Sequence, residues 1–415
     1  MSLNSISVAV SLVLGLLSSK IVSAFLGTSG MALLGSFRNF TTMMKSIATL
    51  GINNSIIKLF IENKDDKKEI SIIYSTFFWL FLSISIVLGV FILLFSSTIS
   101  QLLFYSNSYK VSIQFFALLL PLIVINTFWL AVYNGLEQFK KIVLIQIISN
   151  IFVFLITAIL IWKKNISGGL FAIAISEFLM IFITFLFVRK DKEFFKFEIQ
   201  KIISKKHIQV IKKFSVMAFL SAIIVPLNSL LIRNNIVQHY SLQEAGIWDA
   251  VNRLSGFYMI FFSSGLSLYY VPKLTSLQTD SEFKEEVKNY FKIFVPLFFF
   301  MICSLFFLKD LIISIAFTKE FIGIKKILIW QLLGDFFRIM TLAFGFQIVV
   351  KTMMKQYFIG EIAFNLSYYL LSIHLIKYYS AEGALQAYFY SNVLVFILVL
   401  FMFRKLFYKN QSVEL

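Results

Sequence analysis

Apolar residues in this chain do not alternate with polar ones. They run in blocks of about twenty residues or more, separated by short polar clusters. A helix needs about 20 apolar residues to cross a bilayer core of roughly 30 Å, so each block is long enough to span. Barrel strands would show a two-residue alternation, which is absent. The pattern predicts twelve spans, over residues 3–27, 34–60, 70–95, 112–134, 142–162, 168–188, 213–237, 245–271, 289–308, 323–350, 356–376 and 383–403. The expected fold is an all-α polytopic membrane protein, with about 12 transmembrane helices in two six-helix bundles around a central cavity. The expected organisation is an N-terminal bundle over 1–190, a basic cytoplasmic linker over 191–212, a C-terminal bundle over 213–403 and a cytoplasmic tail over 404–415.

Composition supports this and narrows it. Of 415 residues, 59% are apolar and only 14% charged, with a mean hydropathy of +0.85. Soluble domains carry about 25% charged residues, so a single soluble core is excluded. The one cysteine, Cys303, rules out an intramolecular disulfide. The opening MSLNSIS lacks a basic n-region, so the first apolar block is expected to be retained rather than cleaved.

The net charge of +17 has two candidate causes, topology and an anionic ligand. Twelve spans put both ends on one side. With the N-terminus inside, the inner connections hold more than three times as many Lys and Arg as the outer ones. That asymmetry predicts cytoplasmic termini. The longest connection, 189–212, reads as a basic element at the inner membrane surface, with Phe194, Phe195 and Phe197 dipping into lipid. The outer connections are short, 96–111 and 309–322 being the longest, which leaves no outer domain to carry chemistry.

Some cations remain inside the spans, where a charge costs roughly 2.5–3.5 kcal/mol on insertion scales. Lys20, Arg38 and Lys45 lie in the first two spans, and Arg233 and Arg253 in the seventh and eighth. By helical rise they fall in the middle and outer half of the membrane. Arg38 and Lys45 share a helix face with Thr41 and Thr42 near them. The two helix–turn–helix units, Lys20–Gly30–Arg38 and Arg233–Gly246–Arg253, suggest parallel repeats about an axis along the membrane normal. Snorkelling to headgroups is the competing reading for the shallow cations, Arg233 in particular, and a weaker one for the deeper Lys20, Lys45 and Arg253. The acids are Glu177, Asp249 and Asp335. Asp249 with Arg253, and Asp335 with Arg338, have the spacing of intrahelical pairs. Glu177 has no local partner and is therefore protonated, paired across helices, or a coupling site. A basic, partly apolar cavity suits an amphipathic anion with a phosphate or pyrophosphate head.

No catalytic constellation is present. His207, His239 and His374 are scattered without metal-ligand spacing, and no phosphate loop or nucleophile elbow occurs. No cofactor, metal or nucleic-acid partner is expected. Pro226 and Pro296 lie inside spans and are expected to bend them.

The segments KIVSAFLGTSGMALLGSFRNF, KFSVMAFLSAIIVPLNSLLIRNNI, EAGIWDAVNRLSGF with the following YYVPKL, and IWQLLGDFFRIMTLAFGFQIVVK resemble the Wzx-type lipid-linked oligosaccharide flippases, of the O-antigen and enterobacterial common antigen lipid III type. These belong to the multidrug/oligosaccharidyl-lipid/polysaccharide exporter superfamily, and the resemblance covers nearly the whole chain. It implies translocation of undecaprenyl-pyrophosphate-linked glycan from the cytoplasmic to the periplasmic leaflet of a bacterial inner membrane. It also implies a polysaccharide polymerase and a chain-length regulator as partners, beside the membrane lipids. Lys20, Arg38 and Arg233 match basic positions of the family, and Asp335 matches its Gly-Asp. Asp249 and Arg253 depart from it. The substrate-binding cations expected are Lys20, Arg38, Lys45, Arg233 and Arg253, with Glu177, Asp249, Asp335 and Arg338 as coupling or structural charges. The rivals are a multidrug/cation antiporter of the same superfamily, an O-antigen polymerase or ligase, and a non-transporting assembly scaffold.

Overall fold

The computed structural model describes residues 2–191, 200 and 204–408. The expected lipid-dipping Phe194, Phe195 and Phe197, and the tail beyond Tyr408, lie outside the described residues. The described chain is helical: α1 Ser2–Ala48, α2 Asn53–Glu62, α3 Lys67–Leu94, α4 Ser96–Phe104, α5 Lys110–Gly135, α6 Phe139–Lys190, α7 Lys205–His239, α8 Leu242–Ser276, α9 Asp280–Phe307, α10 Lys309–Ala316, α11 Ile324–Val350, α12 Met354–Met402 and α13 Arg404–Tyr408. This is the all-α polytopic architecture expected.

Among the described residues, nine helices are long and apolar enough to cross a membrane. Three of them, with spans of 42, 52 and 49 residues, are twice as long as a bilayer requires. Each is interrupted by one non-helical residue: Gly27 in α1 (φ 63°), Asn165 in α6 (φ 48°) and Ser380 in α12 (φ 53°). A Cβ on Gly168 would lie 1.8 Å from the Leu160 carbonyl oxygen, and one on Gly383 would lie 2.4 Å from that of Leu375. Residues eight apart in a straight helix are separated by about 12 Å. The chain therefore doubles back at Asn165 and Ser380. The three breaks share a local spelling, GTSG, NISG and SAEG, with the non-helical residue first and glycine fourth. Counting the three long helices twice brings the crossings to the expected number of about twelve.

Two expected boundaries change. The second span was expected to run on to residue 60, but α1 ends at Ala48 and α2 begins at Asn53. Leu50 and Gly51 between them take φ of 52° and 63°, a turn that Gly-Ile-Asn-Asn favours over continued helix. The outer connections 96–111 and 309–322 are not plain loops, since they hold α4 and α10. Caps explain other starts. Asp66 accepts from the amides of Lys68 and Glu69 at α3, and Thr279 forms a capping box with Glu282 at α9. Pro226 and Pro296 do lie inside helices, as do Pro121 and Pro272.

The chain divides into two compact units, 1–26 with 33–230, and 27–32 with 231–415. In the first, α3 and α5 pack closely enough that a Cβ on Gly89 would meet the Ala117 carbonyl at 2.8 Å. Phe77, Phe81 and Phe128 fill that seam, and the Trp129 indole donates to the Tyr74 hydroxyl at 3.0 Å. In the second, Tyr270 and Tyr290 reach from α8 and α9 to the α11 carbonyls of Ala343 and Ile339, at 2.9 and 2.8 Å. Large apolar side chains such as Leu94 (75% exposed) and Phe307 (80%) point outward. Such a surface is stable only against lipid.

Candidate functional site

The predicted site residues are divided between the two units. In the first unit, Lys20 and Arg38 are half-buried on α1, on opposite sides of the Gly27 break. One turn beyond Arg38, the Thr41 hydroxyl donates back to the Arg38 carbonyl at 3.0 Å, a bond that satisfies the hydroxyl inside the apolar helix. Lys45 pairs with Glu177 of α6 at 2.8 Å, with side chains 30% and 28% exposed. Of the three readings open for Glu177, this selects pairing across helices. The pair ties the first long helix to the sixth and leaves Lys45 with a standing counterion.

The second unit holds a more tightly built arrangement. Arg233 of α7 is 1% exposed and grips Asp249 of α8 with two bonds, Nε to Oδ2 at 2.7 Å and Nη2 to Oδ1 at 2.5 Å. The guanidinium also lies 5.4 Å from the centre of the Trp248 ring. Its Nη1 is buried without a hydrogen-bond partner. This revises the reading of Arg233 as a shallow, snorkelling cation. It also corrects the assignment of Asp249 to an intrahelical pair alone, since the acid clasps an arginine on the neighbouring helix. The geometry follows from the hairpin. α7 and α8 are joined by a tight turn at Tyr240–Ser241, and residues 233 and 249 stand eight positions to either side of Ser241. The turn is fixed by Ser241, whose hydroxyl caps the Glu244 amide at 3.2 Å. Four residues along α8, Arg253 is half-buried, with Nη1 3.9 Å from the Met31 sulfur. Gly246 lets the backbone of Thr28 come close, since a Cβ there would fall 1.9 Å from the Thr28 carbonyl oxygen.

Asp335 of α11 is fully buried. Its Oδ2 accepts from Ser255 (2.6 Å), Tyr258 (2.5 Å) and Gln331 (3.1 Å), and its Oδ1 from Tyr388 of α12 (2.7 Å). These neutral donors stabilise the carboxylate by hydrogen bonds, and the Arg338 charge acts on it as well. Arg338, expected to pair with it, is exposed on the same helix and lies beside the Tyr388 hydroxyl. Tyr388 packs against Gly334, where a Cβ would meet its ring at 2.5 Å. Sequence reasoning missed Trp248, Ser255, Tyr258, Gln331 and Tyr388. Tyr388 had no signal, because its contact with Asp335 spans 53 positions and two helices.

No group of three or more potential metal ligands exists among the described residues, and Cys303 is a free thiol. The arrangement offers cations, a clasped ion pair and a buried carboxylate, all on membrane helices.

A model of the family "Polysaccharide biosynthesis protein" matches residues 1–278. The chain is 23% identical over 384 residues to the lipid III flippase of Escherichia coli (strain K12), covering 92% of each protein. Its fold is similar to that of the lipid II flippase MurJ in an inward closed conformation, with a TM-score of 0.79 at 19% identity, covering 97% of this chain and 88% of that one. It is also similar to an inward-facing multidrug resistance MATE family transporter of the MOP superfamily, with a TM-score of 0.72 at 12% identity and 96% coverage of each.

Proposed function

Because the chain belongs to the polysaccharide biosynthesis protein family, we propose that it flips undecaprenyl-pyrophosphate-linked oligosaccharide from the cytoplasmic to the periplasmic leaflet of a bacterial inner membrane. It is a multi-pass transporter of the Wzx type, not an enzyme. The observation that carries the substrate reading is the set of cations held inside apolar helices of both units: Lys20, Arg38 and Lys45 in one, Arg233 and Arg253 in the other. A diphosphate brings the charge to match them, and arginine can hold it with two parallel bonds. Lys20, Arg38, Lys45 and Arg253 are half-buried, and Arg233 is fully buried. Lys45 and Arg233 are held by Glu177 and Asp249, and would contribute field and shape rather than a contact surrendered to substrate.

Transport would proceed by alternating access, with the polyprenyl chain left in lipid. Both termini would be cytoplasmic, by the lysine and arginine asymmetry of the connections. Polymerase and chain-length regulator would act on the flipped unit as partners. Asp335 is the candidate for ion coupling, and Arg338 for tuning it through Tyr388. An exporter of hydrophobic cations would instead need an accessible acid. Here Glu177 and Asp249 are bound to cations and Asp335 is enclosed by four donors, which favours the anionic substrate.

The test is deletion of the gene with analysis of lipid-linked glycan. Accumulation of the lipid-linked unit on the cytoplasmic face, with loss of surface polysaccharide, is expected. Arg38→Ala and Arg253→Ala should reproduce the defect at normal protein levels. A periplasmic unit left unpolymerised would indicate a polymerase. Unchanged polysaccharide with lowered drug tolerance would indicate an exporter.

A further inference from the structure

The second unit carries a cleft that none of the five candidate substrate-binding cations lines. It measures about 390 Å³ and is walled by Tyr240, Glu244, Lys326, Tyr378, Tyr379 and Glu382, with Ser380 at its base. A volume of that size falls within the range of roughly 300–1,000 Å³ typical of small-ligand sites.

Three features make it a built site rather than a gap between helix ends. The tyrosines are displayed: Tyr378 is 67% exposed, Tyr379 51% and Tyr240 45%. Tyr240 is nonetheless fixed, because its hydroxyl donates to the Lys377 carbonyl at 3.0 Å. The carboxylates are positioned from behind. Glu382, 17% exposed, accepts from the Trp330 indole at 3.2 Å and pairs with Lys326 at 2.8 Å. Glu244 accepts from the Ser380 hydroxyl at 2.9 Å. Ser380 itself sits at φ 53°, ψ −136°, a region costly for a residue with a side chain, by about 1–3 kcal/mol. That strained turn throws Tyr378, Tyr379 and Glu382 to one edge, and the bond to Glu244 holds it there. The tyrosine hydroxyl on Lys377, the serine on Glu244 and the indole on Glu382 lock the cleft into one shape.

Its chemistry differs from that of the intramembrane cations. Two carboxylates against one lysine give a net negative charge, which repels phosphate and uronate. Flat aromatic faces offer apolar surface to the axial C–H face of a pyranose, and the hydroxyls and carboxylates beside them accept and donate to ring hydroxyls. We propose that this cleft binds a neutral or N-acetylated pyranose of the transported glycan. The α7–α8 turn and the Ser380 break both fall on the outer side of the expected topology, so the cleft would receive the sugar after translocation. The inference rests on the flippase reading, and it divides the substrate: cations for the diphosphate, tyrosines for the sugar.

The experiment uses the full chain in nanodiscs of phosphatidylethanolamine and phosphatidylglycerol. Saturation-transfer NMR is recorded with N-acetylglucosamine, galactose and glucuronic acid as probes. The neutral sugars should receive saturation at their axial ring protons, and glucuronic acid should not. Tyr378→Ala with Tyr379→Ala should weaken binding at least tenfold, whereas the matching pair of Phe substitutions should retain it. Both residues are exposed, so the Ala variant is expected to fold, which thermal unfolding checks. Absence of saturation in the wild type, equal binding of glucuronic acid, or unchanged binding in the Ala variant would overturn the proposal. Flipping of lipid-linked glycan in vesicles is measured alongside. Wild-type flipping without sugar binding would remove the cleft alone, and absence of wild-type flipping would remove the transport reading.

Discussion

Removing the carboxylate of Asp249 tests the best-defined interaction in the second unit. Asp249→Ala leaves the Arg233 guanidinium at its present depth, 1% exposed, without its two charge-assisted bonds of 2.5 and 2.7 Å. Nη1 already lacks a partner, so the cation would keep little beyond the Trp248 ring. A cation–π contact is worth about 0.5–2 kcal/mol, too little to replace the lost pair. Stranding one member of a buried pair costs about 3–5 kcal/mol. At roughly 2–4 °C per kcal/mol for a domain of 150–250 residues, the unfolding midpoint should fall by at least about 6 °C. Arg233→Leu with Asp249→Leu removes both charges, and should be close to neutral or stabilising, since the desolvation cost disappears with the pair. The assay is thermal unfolding of wild type, Asp249→Ala and the double-Leu variant in one detergent, with transport measured in parallel. A single Asp249→Ala variant within about 0.5 kcal/mol of wild type would refute the clasp. Full transport in the stable double-Leu variant would show that Arg233 serves the fold alone.

Three further outcomes follow from the same geometry. Gly168→Ala and Gly383→Ala drive a methyl into a backbone carbonyl, at 1.8 and 2.4 Å, and should cost about 2–3 kcal/mol or prevent folding. Gly256→Ala, with nothing within 4 Å, should be neutral or stabilising by up to about 1 kcal/mol; expression level and unfolding midpoint separate the two cases. Asp335→Asn turns an acceptor of four hydrogen bonds into a group that must aim its own donors at Tyr258 or Tyr388, and should cost about 1–3 kcal/mol in the same assay. In the connection before α11, the Asp310 carboxyl is held below its usual range by the ammonium of Lys325, 2.7 Å away at the first turn of α11. A lowered carboxyl pKa stabilises the fold fully above the unfolded value, and the contribution is lost as pH falls through the lowered folded value. The difference in midpoint between wild type and Lys325→Gln should therefore be constant from about pH 7 to 5, and close on acidification below about pH 4. It should also shrink in high salt, because both groups are exposed.

How much of this could be read in advance differs from residue to residue. The spans could, because hydrocarbon enforces long apolar runs whatever they pack against. The doubling back at Asn165 and Ser380 was legible as short polar connections, and the shared NISG and SAEG spelling marks the same two breaks. The Arg233–Asp249 clasp was within reach too. Two residues equidistant from a tight turn face each other in an antiparallel hairpin, and that register is a stronger pointer than the four-residue spacing of Asp249 and Arg253. The Lys45–Glu177 pair was open only as an alternative, since it joins helices 132 positions apart. The donors around Asp335 were out of reach, because Ser255, Tyr258 and Tyr388 look like ordinary positions in apolar helices.

The amino-acid sequence already carried the all-helical membrane character of this chain and the cations inside its apolar segments. Those features depend on local periodicity and on the solvent, which act on each segment separately. Tertiary structure decided which charges stand clasped, which carboxylate is enclosed by neutral donors, and that three tyrosines and two glutamates share one cleft. Those outcomes depend on which helix faces which, and in lipid that choice is made by close packing and interhelical hydrogen bonds. Hydrophobicity, the signal that the sequence displays most strongly, is nearly indifferent to it.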